Sequence, residues 1–202
     1  MEKGEYFDMV DLVTIVHNDM NRSFAERLRV GLELYEPDNY RLIVRDNFAV
    51  NLGFAKGCNW GAKQATSDII GFVNPDVIVH GAFLDRVSEV FTDENVVITG
   101  ESFREPGHAY GHIGLKSWVC GAALFVRKSW FDEVGGFDEQ FVWSWEETDL
   151  CRLAESQGHV VKPVRLALQH DRSHVKDESE IDRKYKHKHM VEGSKIYHAK
   201  WS

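Results

Sequence analysis

The chain has 202 residues, with 24 Lys+Arg against 32 Asp+Glu for a net charge of −8, and 43% of its residues are apolar. That is the balance of a globular protein, and a chain this long buries roughly 70% of its unfolded surface. Disordered, collagen-like and disulfide-scaffold classes are excluded, and an acidic chain argues against nonspecific nucleic-acid binding.

Met9 to Val16 is an apolar, β-branched run that reads as a buried strand and stops at His17-Asn18-Asp19. Open α/β sheets bind ligands at such strand ends. Ser23 to Leu34 reads as an amphipathic helix capped by Ser23 or Asn21, and Pro37-Asp38-Asn39 as the turn after it. Tyr40 to Val44 is a second strand, Arg45 to Asn51 a loop, Phe54 to Thr66 a helix and Ile69 to Val73 a third buried strand, running into Asn74-Pro75-Asp76. Strands alternating with helices over about 70 residues imply a parallel sheet with crossover helices.

Farther on, Ala82 to Phe91 reads as helix, Asn95 to Thr99 as strand and Glu101 to Ser117 as a long polar loop. Val119 to Val126 is an apolar strand, Lys128 to Val134 a short helix, and Trp145 to Gln157 a helix closed by Gly158. Two short extended pieces, His159 to Val164 and Leu166 to Leu168, lead to His170. No apolar run approaches the ~18–20 residues that cross a bilayer, and the acidic first residues do not resemble a signal peptide, so a cytoplasmic protein is expected. Cys58, Cys120 and Cys151 are too widely spaced for a zinc knuckle and read as buried free thiols. Residues 182–200 carry six basic side chains against two acids, +4, which leaves −12 before them. This basic tail is a candidate anion site.

Four segments can carry chemistry, and each also has a purely structural account. The glycines of Asn51-Leu52-Gly53-Phe54-Ala55-Lys56-Gly57-Cys58-Asn59-Trp60-Gly61 suit either a tightly packed helix start or one that receives an anion. Asn74-Pro75-Asp76 is either an ordinary turn or a carboxylate placed to hold a divalent cation against a diphosphate. The acids of Trp143-Ser144-Trp145-Glu146-Glu147-Thr148-Asp149 either stabilise a helix N-terminus or, walled by tryptophans, supply a general base. In His170-Asp171-Arg172-Ser173-His174 the histidines are either surface groups or a metal ligand, with Arg172 or His174 meeting phosphate.

The order of the segments is more specific than any one of them. N-L-G-F-A-x-G-x-N-x-G, a strand ending in N-P-D, C-G-A-A-L-F-V-R-K, V-G-G-F-D-E-Q-F, W-E-E-T-D-L, a late H-x-x-S-H and the closing Lys200-Trp201 together resemble a family 2, GT-A-type glycosyltransferase. The rhamnosyltransferase-like branch is the nearest, and the resemblance covers about Val10 to Trp201. It implies an α/β fold: a single GT-A (Rossmann-like) domain over 1–202, with a mostly parallel central sheet flanked by helices. Residues 1–80 would form a nucleotide-binding half, 95–175 an acceptor and catalytic half, and 176–202 the basic tail.

The resemblance also implies residue roles. A UDP-, GDP- or dTDP-sugar donor would lie across the strand ends, with His17, Asn18, Asn51 and Asn59 lining the nucleotide and Arg172 near phosphate. Asn74 and Asp76 match the variant D-x-D motif, Asp76 and His170 would ligate Mn2+ or Mg2+, and Gly121 would lie by the donor sugar. Glu146-Glu147 stands where the family has Glu-Asp, so the catalytic base is expected at Glu147, with Glu146 and Asp149 as the alternatives and Trp145 in the acceptor wall. The acceptor hydroxyl could belong to a glycan, a lipid-linked saccharide, a protein or a modified nucleobase. The sequence departs from the family before Asn51: the strand ending in Val-Asp-Asn-x-Ser is missing as a separate unit, which leaves Asp46 as the candidate contact to the nucleotide base. That shortening keeps a second expectation open, a catalytically weak or inactive module that binds carbohydrate or nucleotide.

Overall fold

The computed structural model describes residues 9–48, 50–103, 114–173 and 179–202. Strand β1 (Val10–Val16) is buried along its whole length because it lies inside the sheet, between β2 (Tyr40–Asp46) and β3 (Ile69–Val73), and pairs parallel with both. Completing the six-stranded sheet are β5 (Val96–Glu101), β6 (Ala123–Arg127) and β7 (Val160–Val164), in the order β2-β1-β3-β6-β5-β7. β6 alone runs against the rest, antiparallel to β3 and β5, while β7 pairs parallel with β5. A separate two-stranded ribbon joins β4 (Val77–Val79) to β8 (Leu168–His170).

Helices cover the sheet. α1 (Asp19–Tyr35) turns Leu28 and Leu32 inward, and α2 (Phe54–Ala62), α3 (Leu84–Val90), α4 (Lys128–Glu133) and α5 (Glu146–Ser156) add their apolar sides to one cluster built on Leu12, Phe72, Phe125 and Phe131. The described part is therefore a mixed α/β fold with a mostly parallel sheet, as expected. Asp11 is fully buried within β1 and is tolerated there because it accepts from Arg41 Nε (2.6 Å) and Nη2 (2.9 Å) and from the amides of Thr66 (2.6 Å) and Ser67 (2.9 Å). Those bonds tie β1 to β2 and to the turn that enters β3.

Several expectations need correcting. The cap of α1 is Asn18, whose side chain accepts from the Asn21 amide, so the helix begins earlier than Ser23. β2 continues through Asp46, which removes the start of the expected loop, and α2 stops at Ala62, followed by turns at Gln64 and Ala65. β4 has no counterpart in the sequence reading. The basic tail folds as α6 (Glu180–Trp201), capped by Ser179. Most of the expected loop Glu101 to Ser117 lies outside the described residues, and Glu101 itself ends β5. All three cysteines are free and buried, and no helix among the described residues is long and apolar enough to cross a membrane.

Candidate active site

Parallel pairing puts the carboxyl ends of β1 and β3 side by side, so His17-Asn18 and Asn74-Pro75-Asp76 emerge at one sheet edge. The reversed strand β6 delivers a third segment there. The Asn74 amide donates to the Ala122 carbonyl at 2.8 Å, which brings Cys120-Gly121-Ala122 beside the end of β3. A side chain built on Gly121 would stand 3.5–3.7 Å from Cβ, Cγ and Cδ of Glu147. Position 121 thus lies within ordinary contact distance of Glu147, which places that side chain of α5 beside the end of β3.

Asp76 and His170 come together through the β4–β8 ribbon, where Val77 is opposite His170 and the Asp171 amide donates to the Asp76 carbonyl at 3.0 Å. Asp76 Oδ2 lies 3.4 Å from His170 Nε2, with the two side chains 12% and 15% exposed. One carboxylate oxygen and one imidazole nitrogen, close together and partly open, form a donor pair suited to a divalent cation that fills its other positions with phosphate and water oxygens. Among the described residues no group of three or more His, Cys, Asp or Glu converges as a self-sufficient metal cage.

The three acids at the start of α5 face three different surroundings. Glu146 is 6% exposed, with Oε2 buried and unbonded, and burial followed by repulsion from Glu147 pushes its carboxyl well above the usual range. Asp149, 2% exposed, accepts from Lys200 Nζ (2.8 Å) and from the Trp201 indole (2.8 Å). Lys200 also bonds Asp138 at 2.9 Å, and the two acids together hold its ammonium protonated above the ordinary lysine value despite the opposing effect of burial. Glu147, between them in sequence, is partly exposed and faces Gly121.

The turn that launches α5 is strained. Ser144 (φ 67°) and Trp145 (φ 80°) both adopt the left-handed region, a conformation that persists in non-glycine residues only where packing over-determines it. The packing comes from α6 and α2. The Trp145 indole donates to the Met190 carbonyl at 3.0 Å and its ring meets Tyr197. Gly193 lets α6 approach so closely that a Cβ there would be 2.9 Å from Trp145 Cδ1. On the other side Gly53, at φ 79° before α2, sits against the Val142 carbonyl.

The remaining expected residues scatter. His17 meets Trp143 edge-on at 6.5 Å, and burial first, then the nearby Lys186, lowers its basicity against the opposing pull of Asp182 and Asp76. Asp46 ends β2 next to Val16 and pairs with Arg22 at 2.8 Å. The Asn51 side chain accepts from the Gly53 amide. Asn59 is spent elsewhere: its carboxamide donates to the Phe137 carbonyl and accepts from the Phe137 amide, clamping α2 to the turn after α4. Arg172 follows Asp171 beyond β8, and His174 lies outside the described residues. The sequence reading missed that Asp149 is held by Lys200-Trp201, and no local pattern signals a contact across about 50 residues.

Comparison with known proteins matches a model of glycosyl transferase family 2 to residues 21–153. Two pre-mycofactocin glycosyltransferases, from two strains of Mycobacterium tuberculosis, are 28% identical over 149 residues, which is 62% of this chain and 32% of theirs, so the chain spans about a third of the length of these relatives. Among solved structures, mannosyltransferase PcManGT from Pyrobaculum calidifontis in complex with GDP-Man and Mn2+ superposes with a TM-score of 0.61 at 14% identity, over 80% of this chain and 56% of that one. S. aureus TarS 1–349 in complex with UDP gives 0.55 at 13% identity, over 72% and 54%. At these identities the structural likeness speaks for the fold.

Proposed function

We propose, from the premise that this chain belongs to glycosyl transferase family 2, that it transfers a sugar from a nucleoside-diphosphate sugar to an acceptor hydroxyl with inversion, assisted by Mn2+ or Mg2+. The observation that carries the reading is the chain of contacts from Asp76–His170 through Asn74 and Ala122 to Gly121 and Glu147. It links a cation-binding pair to the partly exposed Glu147 carboxylate at one sheet edge.

In this reading Asp76 and His170 hold the cation, which when bound offsets the charge that builds on the departing diphosphate. His17, Asn18, Asp46 and Asn51 border the nucleotide, Asn74 and Gly121 the donor sugar, and Arg172 the phosphates. Glu147 takes the proton of the acceptor hydroxyl, whose oxygen attacks the anomeric carbon on the face opposite the leaving group, so one displacement inverts the configuration. Burial raises the Glu146 carboxyl well above the usual range, and Asp149 is occupied by Lys200 and Trp201. These facts favour Glu147 as the base, and the Asn59 clamp argues for a structural role at that position.

The donor base is tested among UDP, GDP and dTDP. The structural relatives were solved with GDP-Man and with UDP, which makes those two bases the first to test. A glycan, lipid-linked saccharide, protein or nucleobase hydroxyl would serve as acceptor, in the cytoplasm. The second reading, a binding module without turnover, draws on the short nucleotide side, where β2 is the sheet edge. Donor hydrolysis with Mn2+ separates the two. We expect one of the three donor classes to be hydrolysed slowly, Glu147→Gln to lower the rate at least about 100-fold, and Asp76→Ala to abolish the Mn2+-dependent rise in Tm caused by the nucleotide. A nucleotide that binds without hydrolysis favours the module, and no nucleotide binding at all rejects the transferase and leaves the module only as a binder of carbohydrate.

A further inference from the structure

α6 joins two places that the donor and catalytic roles above leave unconnected. At its C-terminal end Lys200 and Trp201 grip Asp149 of α5. Fourteen residues earlier, a span of about 21 Å along a helix, Lys186 places its ammonium 4.6 Å from the centroid of the Trp143 ring. Trp143 in turn meets His17, directly after β1, and Lys186 is near enough to His17 to act on its charge together with Asp76. The basic side chain therefore stands over the sheet edge that carries the cation-binding pair. Other cations of the helix are turned away: Lys184 pairs with Glu180 and Lys188 with Glu192, all on the exposed side. Lys186, Met190, Gly193, Tyr197 and Lys200 recur every three or four residues, which sets them on one face, the one packed against the Trp143–Trp145 turn.

Building on the donor-site reading, we propose that Lys186 is the chain's own cationic contact to the donor diphosphate, held at the site by the latch that Asp149 forms with Lys200 and Trp201. A diphosphate beside Asp76 brings negative charge against a carboxylate, and one divalent cation does not offset all of it. An ammonium has three N–H donors, so its contact with an aromatic face does not prevent it from also donating to a phosphate oxygen. The latch matters because α6 presents few apolar groups of its own: Gly193 and Tyr197 are its buried residues. The grip on Asp149 adds to the Trp145–Met190 hydrogen bond and the Trp145–Tyr197 contact in fixing the rotation of the helix, and with it the position of Lys186. Lys186 is thus a binding residue, and Asp149, Lys200 and Trp201 are positioning residues.

The test is calorimetric titration of the full chain with UDP, GDP and dTDP, each with Mn2+, beside NMR titration with uridine, guanosine and thymidine. For whichever diphosphate binds the unaltered protein, Lys186→Ala lowers affinity about tenfold and flattens its salt dependence, Lys186→Arg restores most of it, and the affinity of the matching nucleoside does not change. Lys200→Met lowers diphosphate affinity by about threefold with the same indifference to the nucleoside. Equal losses for nucleoside and diphosphate would show that Lys186 only braces Trp143 and would overturn the proposal, as would unchanged diphosphate affinity in Lys186→Ala. If none of the three diphosphates binds the unaltered protein, the donor-site reading itself fails, before any variant is made, and this inference falls with it.

Discussion

The two ends of the site are built differently. On the nucleotide side, β2 is the sheet edge, Val44 and Phe48 are exposed, and the candidate residues are tied mostly to near neighbours in sequence: Asn18 to Asn21, Asn51 to Gly53, Asp46 to Phe48 and Arg22. On the catalytic side, Asp149 is tied to Lys200 and Trp201, Trp145 to Met190, and the strained Ser144-Trp145 pair is wedged under Gly193. Long-range ties, part-buried at Asp149, hold the start of α5 in place and with it Glu147, and they are stronger there than in full solvent. Short-range, solvated ties leave a surface that can adjust to a ligand. The contrast separates chemistry, which tolerates little displacement, from nucleotide recognition, which a few adaptable polar groups can provide.

If the contrast is real, cutting the latch is the most damaging change away from the reacting groups. Asp149→Ala leaves the Lys200 ammonium with Asp138 alone and the Trp201 indole without its acceptor. We expect the unfolding free energy from urea titration to fall by about 3 kcal/mol, as when one partner of a buried ion pair is removed, and donor hydrolysis to fall with it as Trp145 and the start of α5 lose their support. A loss of stability no larger than that of an exposed pair would erase the distinction between the two sides.

The same division explains what could be read from the sequence. β1, β3 and β6 are apolar runs, each with an unambiguous burial pattern, and the α5 boundary follows from its acids and Gly158. Asp76 and His170 were legible as members of an ordered motif set, and the ribbon that joins them was not: Val77-Ile78-Val79 is too short to stand out after a Pro turn. α6 escaped detection because charged residues surround it on nearly every side, so no apolar stripe marks its inner face. Asn59 was assigned to a pocket because its motif is local, whereas its partner Phe137 is 78 residues away. The bonds from Lys200 and Trp201 to Asp149, a candidate base in the sequence, are hidden for the same reason.

A smaller effect is expected at Asp11, which anchors the nucleotide side from beneath. Burial works to raise its carboxyl, yet the bonds from Arg41, Ser67 and Thr66 outweigh burial and hold it below the ordinary value of 3.8. A depressed folded value means stability that is fully present above pH 3.8 and is lost as pH falls through the lower folded value. Asp11→Asn should therefore cost about 2 kcal/mol at neutral pH and flatten the acid limb of a plot of stability against pH. An acid limb identical to that of the unaltered protein would mean that Asp11 does not anchor the edge strand.

Asp46 is where the smallest structural effect should meet a small but selective functional one. Its partner Arg22 is about half exposed, and such pairs contribute little to stability, so Asp46→Ala should leave Tm unchanged within error. If the Asp46 side chain instead contacts the nucleotide base, the variant weakens binding of the nucleoside by about threefold while inorganic pyrophosphate binds as before. That is the reverse of the pattern expected for Lys186→Ala, which spares the nucleoside and affects the diphosphate. Measuring both variants against both probes resolves the donor into two independently held parts, the base at the solvated end of β2 and the diphosphate under α6. A drop in Tm on Asp46→Ala comparable to that of Asp149→Ala would show that the nucleotide side is as tightly framed as the catalytic one.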